Sequence, residues 1–151
     1  ESPAGFRRQG CGQMALTAEY SHVTWDSFFQ PTFAVYPELE SQLQAEFITY
    51  KSTGAPSNLL GRDAPFDFPP FAVDANVQHI HVNLHFQLTW SARQENYNRT
   101  SDHYLIYTEH MWDSGRFLLM GLITPAHERM PARDTRLLSY FSEVAEDFHA
   151  S

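Results

Sequence analysis

In Val77-Gln78-His79-Ile80-His81-Val82-Asn83-Leu84-His85-Phe86-Gln87-Leu88, polar and apolar residues alternate. A period of two places His79, His81, Asn83 and His85 on one face of an extended strand and Ile80, Val82, Leu84 and Phe86 on the other. The stretch therefore predicts a strand over 77–88 with one polar and one buried face. Downstream, 104–109 and 117–124 read as two further strands, joined through Trp112-Asp113-Ser114-Gly115, where Asp and Gly favour a hairpin turn. The second is almost wholly apolar, as a central strand would be.

Upstream, Leu39, Leu43, Phe47 and Tyr50 recur at three- and four-residue spacing after Pro37 and before Gly54, which predicts a helix over 37–53. Residues 23–33, rich in Val, Thr, Trp and Phe but interrupted by Pro31, read as an edge strand or two short pieces. Residues 61–75 hold Pro65, Pro69 and Pro70 and read as a loop packed by Phe66, Phe68 and Phe71. A proline-bounded loop over 125–131 then leads to a closing helix over 134–148, with an apolar stripe of Leu137, Leu138, Phe141, Val144, Ala145 and Phe148. Helices at the two ends of a mainly antiparallel sheet define the α+β class.

The chain has 151 residues and 42% hydrophobic content, one domain's worth of core. The expected organisation is a single domain over 14–151. Residues 1–13 are read as an added or extended segment outside the fold, with Met14 the expected natural start. The longest apolar run, 117–123, is far shorter than a membrane span, so no membrane association is expected. Cys11 is the only cysteine, which leaves no internal disulfide and no cysteine-based zinc site, and suits a reducing cytoplasm.

The formal net charge is −8, which argues against a protein that coats nucleic acid through many phosphate contacts. The distribution qualifies this. Between 79 and 136 there are six arginines, six acids, no lysine and six of the eight histidines, so this half is balanced. The excess acid lies before it and at the C-terminal end, on faces suited to a basic partner.

Four small clusters carry the candidate chemistry: Leu60-Gly61-Arg62-Asp63, His79-Ile80-His81-Val82, Arg99-Thr100-Ser101-Asp102, and Pro125-Ala126-His127 leading to Arg133. Arginine is a fixed-charge fork for phosphate, and imidazole exchanges protons near neutrality. His79 and His81 are candidates for acid–base work. As an i, i+2 pair, with His85 or His127 as a third ligand, they are also candidates for a metal site, or simply a solvated strand face. Arg62-Asp63 reads as a phosphate contact or as an ion pair, and Arg99 as a phosphate fork in a turn capped by Ser101 and Asp102. His127 lies in a loop at a strand end, where catalytic groups commonly sit, and Arg133 raises the local potential for phosphate.

The ordered set of Ala45-Glu46-Phe47-Ile48-Thr49-Tyr50-Lys51, Gly61-Arg62-Asp63, His79-Ile80-His81, Arg99-Thr100-Ser101-Asp102 with Leu105-Ile106-Tyr107, and Leu118-Leu119 through Pro125, His127 and Ala132-Arg133-Asp134 resembles the YafO branch of the RelE-type bacterial toxins. The resemblance implies a RelE-like fold and a messenger-RNA endoribonuclease that acts on translating ribosomes and is held inactive by a cognate antitoxin. It assigns catalytic roles to His79, His81, Asp102 and His127, RNA-phosphate binding to Arg62, Arg99 and Arg133, and supporting roles to Asp63 and Tyr107. The expected chemistry needs no metal or other cofactor: a histidine of the 79/81 pair activates the 2′-hydroxyl and His127 protonates the leaving oxygen. A metal-dependent enzyme built on His79 and His81, and a non-catalytic protein-binding module, are the alternatives.

Overall fold

The structure, a computed structural model, describes residues 15–55 and 57–151. The segment expected to lie outside the fold, with Cys11 and Met14, is outside the described residues. Among the described residues five strands form one sheet in the order β1-β5-β4-β3-β2: β1 (Thr17–Tyr20), β2 (Leu60–Pro65), β3 (Val77–Val82), β4 (Tyr104–Glu109) and β5 (Arg116–Ile123). Every neighbouring pair is antiparallel except β1 and β5, which run parallel. Among the described residues six helices accompany the sheet: α1 (Trp25–Phe28), α2 (Gln30–Val35), α3 (Leu39–Thr53), α4 (Pro70–Asp74), α5 (Ala126–Arg129) and α6 (Arg136–His149). The α+β class expected from the sequence is the one observed.

Alternation in β3 sorts its side chains as the sequence predicts. Ile80 and Val82 enter one core with Leu43 and Phe47 of α3 and Tyr107 of β4. Val77, on the histidine face, enters a second core with Ile106, Met120, and Phe141 and Phe148 of α6. The sheet thus separates two apolar layers, and the burial of several large side chains in each, at about 25 cal/mol per Å² of apolar surface, holds the layers together. Helix α3 ends where Gly54 adopts φ 69° and donates its N–H to the Tyr50 carbonyl, a left-handed cap for which glycine is the default residue.

Four expectations are corrected. Residues 23–33 form α1 and the start of α2, not an edge strand. Trp25, Phe29 and Phe33 are spaced by four, so a helical path gathers them around Tyr20 at centroid distances of 4.8–5.5 Å, and Pro31 sits in the first turn of α2, where no N–H is needed. Residues 61–75 are not a loop. Their first part is the edge strand β2, which tolerates Pro65 at its end, and Pro70 opens α4; of the three phenylalanines only Phe66 packs against the core, while Phe68 and Phe71 are exposed. The strand predicted over 77–88 stops at Val82, because the Asn83 amide ties the Asn58 and Leu88 carbonyls and accepts from the Leu88 N–H, turning the chain into a 3₁₀ turn over Leu84–Phe86. His85 therefore lies beyond the end of the strand, not within it. Finally, 125–131 contains the short helix α5, and β1 joins the sheet where no strand is predicted.

Candidate active site

Strand β3 carries His79 and His81 on the face that α4–α6 cover only in part. The hairpin register sets Tyr104 of β4 opposite His81, so the phenol falls beside both imidazoles, with ring centroids 4.7 Å from His81 and 5.0 Å from His79. Phe66 stacks on His79 at 4.4 Å and closes the cluster on the β2 side. His127, at the start of α5, lies 6.2 Å from Tyr104. Three imidazoles thus surround one phenol.

Asp102 fixes His127. Its carbonyl accepts from the Ala126 N–H at 2.8 Å, and its Oδ1 accepts from the His127 N–H at 2.7 Å and from the His127 Nδ1 at 2.6 Å. These bonds hold the Asp102 carboxyl below the usual carboxylate range, the His127 backbone N–H contributing most. With Nδ1 committed to the carboxylate, the His127 Nε2 is left to exchange protons. The His127 side chain is 77% exposed, so the ring is reachable by a large substrate.

His81 is anchored differently. Its Nδ1 accepts from the Ser101 N–H at 2.8 Å, with the Ser101 carbonyl at 3.0 Å. The accepting arrangement places the proton of the neutral ring on Nε2. Burial lowers the His81 pKa, the nearby Ser101 carbonyl, which can accept from a protonated ring, opposes this, and the charges of Arg62 and His127 lower it further. His79 is pushed down to about 4, first by burial and then by the proximity of His81, so its ring is neutral at physiological pH. Burial, followed by the Asp102 charge, raises the Tyr104 phenol and keeps its proton in place.

Arg62 supplies the positive charge. It projects from β2, and its field reaches His79, His81 and Tyr104. Among the described residues no carboxylate forms an ion pair with it. Its neighbour Asp63 turns to the opposite face, where Oδ2 meets the Lys51 Nζ at 2.5 Å and Oδ1 accepts from the Tyr107 hydroxyl at 2.5 Å. The Arg62–Asp63 ion pair considered from the sequence does not form, and Asp63 with Tyr107 braces β2 and β4 from beneath.

Arg99 does not join the cluster, contrary to its reading as a phosphate fork. It is 3% exposed, and its guanidinium donates to the carbonyls of Ser57, Ser91 and Gln94 at 3.0, 3.0 and 3.2 Å. It clamps the long loop that precedes β4 and acts on the site through its own carbonyl, which accepts from the Arg62 N–H at 2.8 Å. That approach requires glycine at 61, since a Cβ there would stand 2.1 Å from the Arg99 carbonyl oxygen. Arg133 is exposed between α5 and α6, without a contact to the cluster. Among the described residues no three His, Cys, Asp or Glu side chains gather closely enough to hold a metal ion.

A family model for Toxin YafO, type II toxin-antitoxin system, matches residues 48–150. This chain belongs to the YafO toxin family. It is 32% identical over 111 residues to the "mRNA interferase toxin YafO" of Escherichia coli (strain K12), an alignment that covers 70% of this chain and 82% of that protein. No solved structure matches the chain. Every member of the Arg62–His79–His81–Asp102–Tyr104–His127 cluster lies inside the YafO match, whereas β1, α1 and α2 precede it. Among the described residues no helix of this YafO-family chain is long and apolar enough to cross a membrane. No linear pattern singles out Tyr104; its register opposite His81 is what reveals its central place.

Proposed function

We propose that this chain is a messenger-RNA endoribonuclease of RelE-like fold that acts in the cytoplasm on ribosome-bound message, needs no metal, and is neutralised by a cognate antitoxin. The observation that carries the catalytic reading is the meeting of Arg62, His81, Tyr104 and the His127–Asp102 pair at one end of the sheet, within the stretch shared with the YafO family. Net charge −8 supports dependence on the ribosome, because a chain with so few cations has a weak field for free RNA.

In this mechanism Arg62 and the His81 Nε2–H hold the scissile phosphate. The His127 Nε2 takes the proton from the 2′-hydroxyl, and Asp102 stabilises the resulting imidazolium. The 2′-oxygen bonds to phosphorus as the bond to the 5′-oxygen breaks, and the Tyr104 hydroxyl gives its proton to that leaving oxygen. The products are a 2′,3′-cyclic phosphate and a 5′-hydroxyl, and a proton passes from His127 back to Tyr104 through solvent. The roles first expected are thereby reassigned, with His127 as base, Tyr104 as acid and His81 on the phosphate. The hydrogen bonds favour His127 as base and His81 as donor, while His79 walls the site and Arg133 provides diffuse positive potential.

The test is to map cut positions and end groups on message with and without ribosomes, for the wild-type chain and for Arg62→Ala, Tyr104→Phe and His127→Ala. The expected result is ribosome-stimulated cleavage leaving cyclic phosphate ends, unaffected by chelators and reduced in each variant. Efficient, salt-insensitive cutting of naked RNA would count against the ribosome, and full activity in the His127 variant against the mechanism.

A further inference from the structure

Residues 88–103 form a long connection whose regular structure is one 3₁₀ turn over Asn96–Asn98, yet its anchoring is dense. The three Arg99 bonds clamp it, and the Asn96 amide donates to the Tyr50 hydroxyl at 2.5 Å and to the Gly61 carbonyl at 2.9 Å. What this frame presents is Tyr97, 66% exposed and outside both cores, with the Arg62 guanidinium carbon 4.0 Å from its ring centroid. A long loop pinned by this many bonds around one exposed aromatic ring matches the needs of a binding surface better than those of packing.

We infer that Tyr97, with Arg62 against it, is a stacking platform for the unpaired RNA base next to the linkage held by Arg62. The inference rests on the nuclease reading above and deepens it by assigning a base-binding position. A phosphate held by Arg62 lies within one nucleotide's reach of the Tyr97 ring, because the two side chains touch. Aromatic rings accept any base, and an arginine alongside adds a cation to the stack. The platform therefore supplies affinity and position with little base preference.

The experiment uses ribosome-bound message with either a normal base or an abasic residue at each nucleotide flanking the cut, cleaved by wild type, Tyr97→Ala and Tyr97→Phe. Tyr97→Ala is expected to lower kcat/KM roughly 5- to 100-fold on the normal message, mostly through KM, with Tyr97→Phe close to wild type. On message abasic at one flanking position, wild type is expected to fall to the level of Tyr97→Ala, and Tyr97→Ala to lose nothing more. An equal loss in Tyr97→Ala on normal and abasic messages would mean that Tyr97 merely holds Arg62, and would overturn the platform while leaving the nuclease reading intact. Absence of cleavage by wild type would overturn both.

Discussion

Arg99 gives the sharpest test of how the site is built, because a phosphate ligand and a loop clamp fail in opposite ways when removed. Its guanidinium makes three bonds to main-chain carbonyls at 3.0–3.2 Å in a side chain that water barely reaches. Hydrogen bonds to charged groups contribute about 1.5–3 kcal/mol each, and those of one side chain do not add fully. Arg99→Ala should therefore cost about 4 kcal/mol, lowered somewhat where water can reach the freed carbonyls. With a urea slope of about 2 kcal/mol/M, the midpoint falls by about 2 M. At about 2–4 °C per kcal/mol for a domain of this size, Tm falls by about 8–16 °C. Arg99→Lys keeps a charge and one donor head in place of a three-way fork, and should cost about half as much. Urea unfolding followed by tryptophan fluorescence measures both. If Arg99→Ala unfolded at the wild-type midpoint while RNA cleavage fell a hundredfold, the clamp assignment would be wrong and the guanidinium would have to act on substrate.

Acidification should destabilise the fold through His79. Its pKa is lowered on folding, so the unfolded chain binds more protons between about pH 6.5 and pH 4; stability is full above that window and declines as pH falls through it, by up to about 2 kcal/mol from pH 7 to pH 5, and His79→Gln should flatten the curve. Asp102→Asn should reduce cleavage by about 10- to 1000-fold with an unchanged urea midpoint, since it disturbs the orientation of an exposed ring; an unaltered rate would remove His127–Asp102 from the mechanism. Asp63→Asn should cost about 2–3 kcal/mol, because it leaves the largely buried Lys51 ammonium without its partner; Lys51→Met, which also removes the charge that needs pairing, should restore part of that loss in the double variant, as a double-mutant cycle in urea would show.

What could be read from the residues, and what could not, divides along the range of the interactions concerned. Helix α3 and strands β3–β5 follow from local periodicity, so their existence and facing are visible in Leu39, Leu43 and Phe47 or in His79 and His81. Trp25, Phe29 and Phe33 mislead because aromatic residues suit strands as well as helices, and only their spacing of four decides. Strand β2 hides behind Arg62, Asp63 and Pro65, residues that an edge position accepts. At the site, the residue types of Arg62, His81, Asp102 and His127 announce their chemistry. The placement of Tyr104 depends on hairpin register, and the withdrawal of Arg99 depends on three carbonyls from distant loop positions, neither of which a linear pattern encodes. The opposed orientations of Arg62 and Asp63 are the ordinary alternation of an extended strand, legible only once 60–65 is known to be one.

The parallel pairing of β1 with β5 bears on the order in which the molecule is completed. Within the sheet, Thr17–Tyr20 pairs with a strand about a hundred residues later, and the candidate cluster draws on residues from Arg62 to His127. Because synthesis proceeds from the N-terminal end, neither the sheet's first edge nor the candidate cluster can close until the stretch that carries β5 and His127 has emerged. A nascent copy whose β5 and His127 are still inside the ribosome therefore has neither its first sheet edge nor a complete candidate cluster.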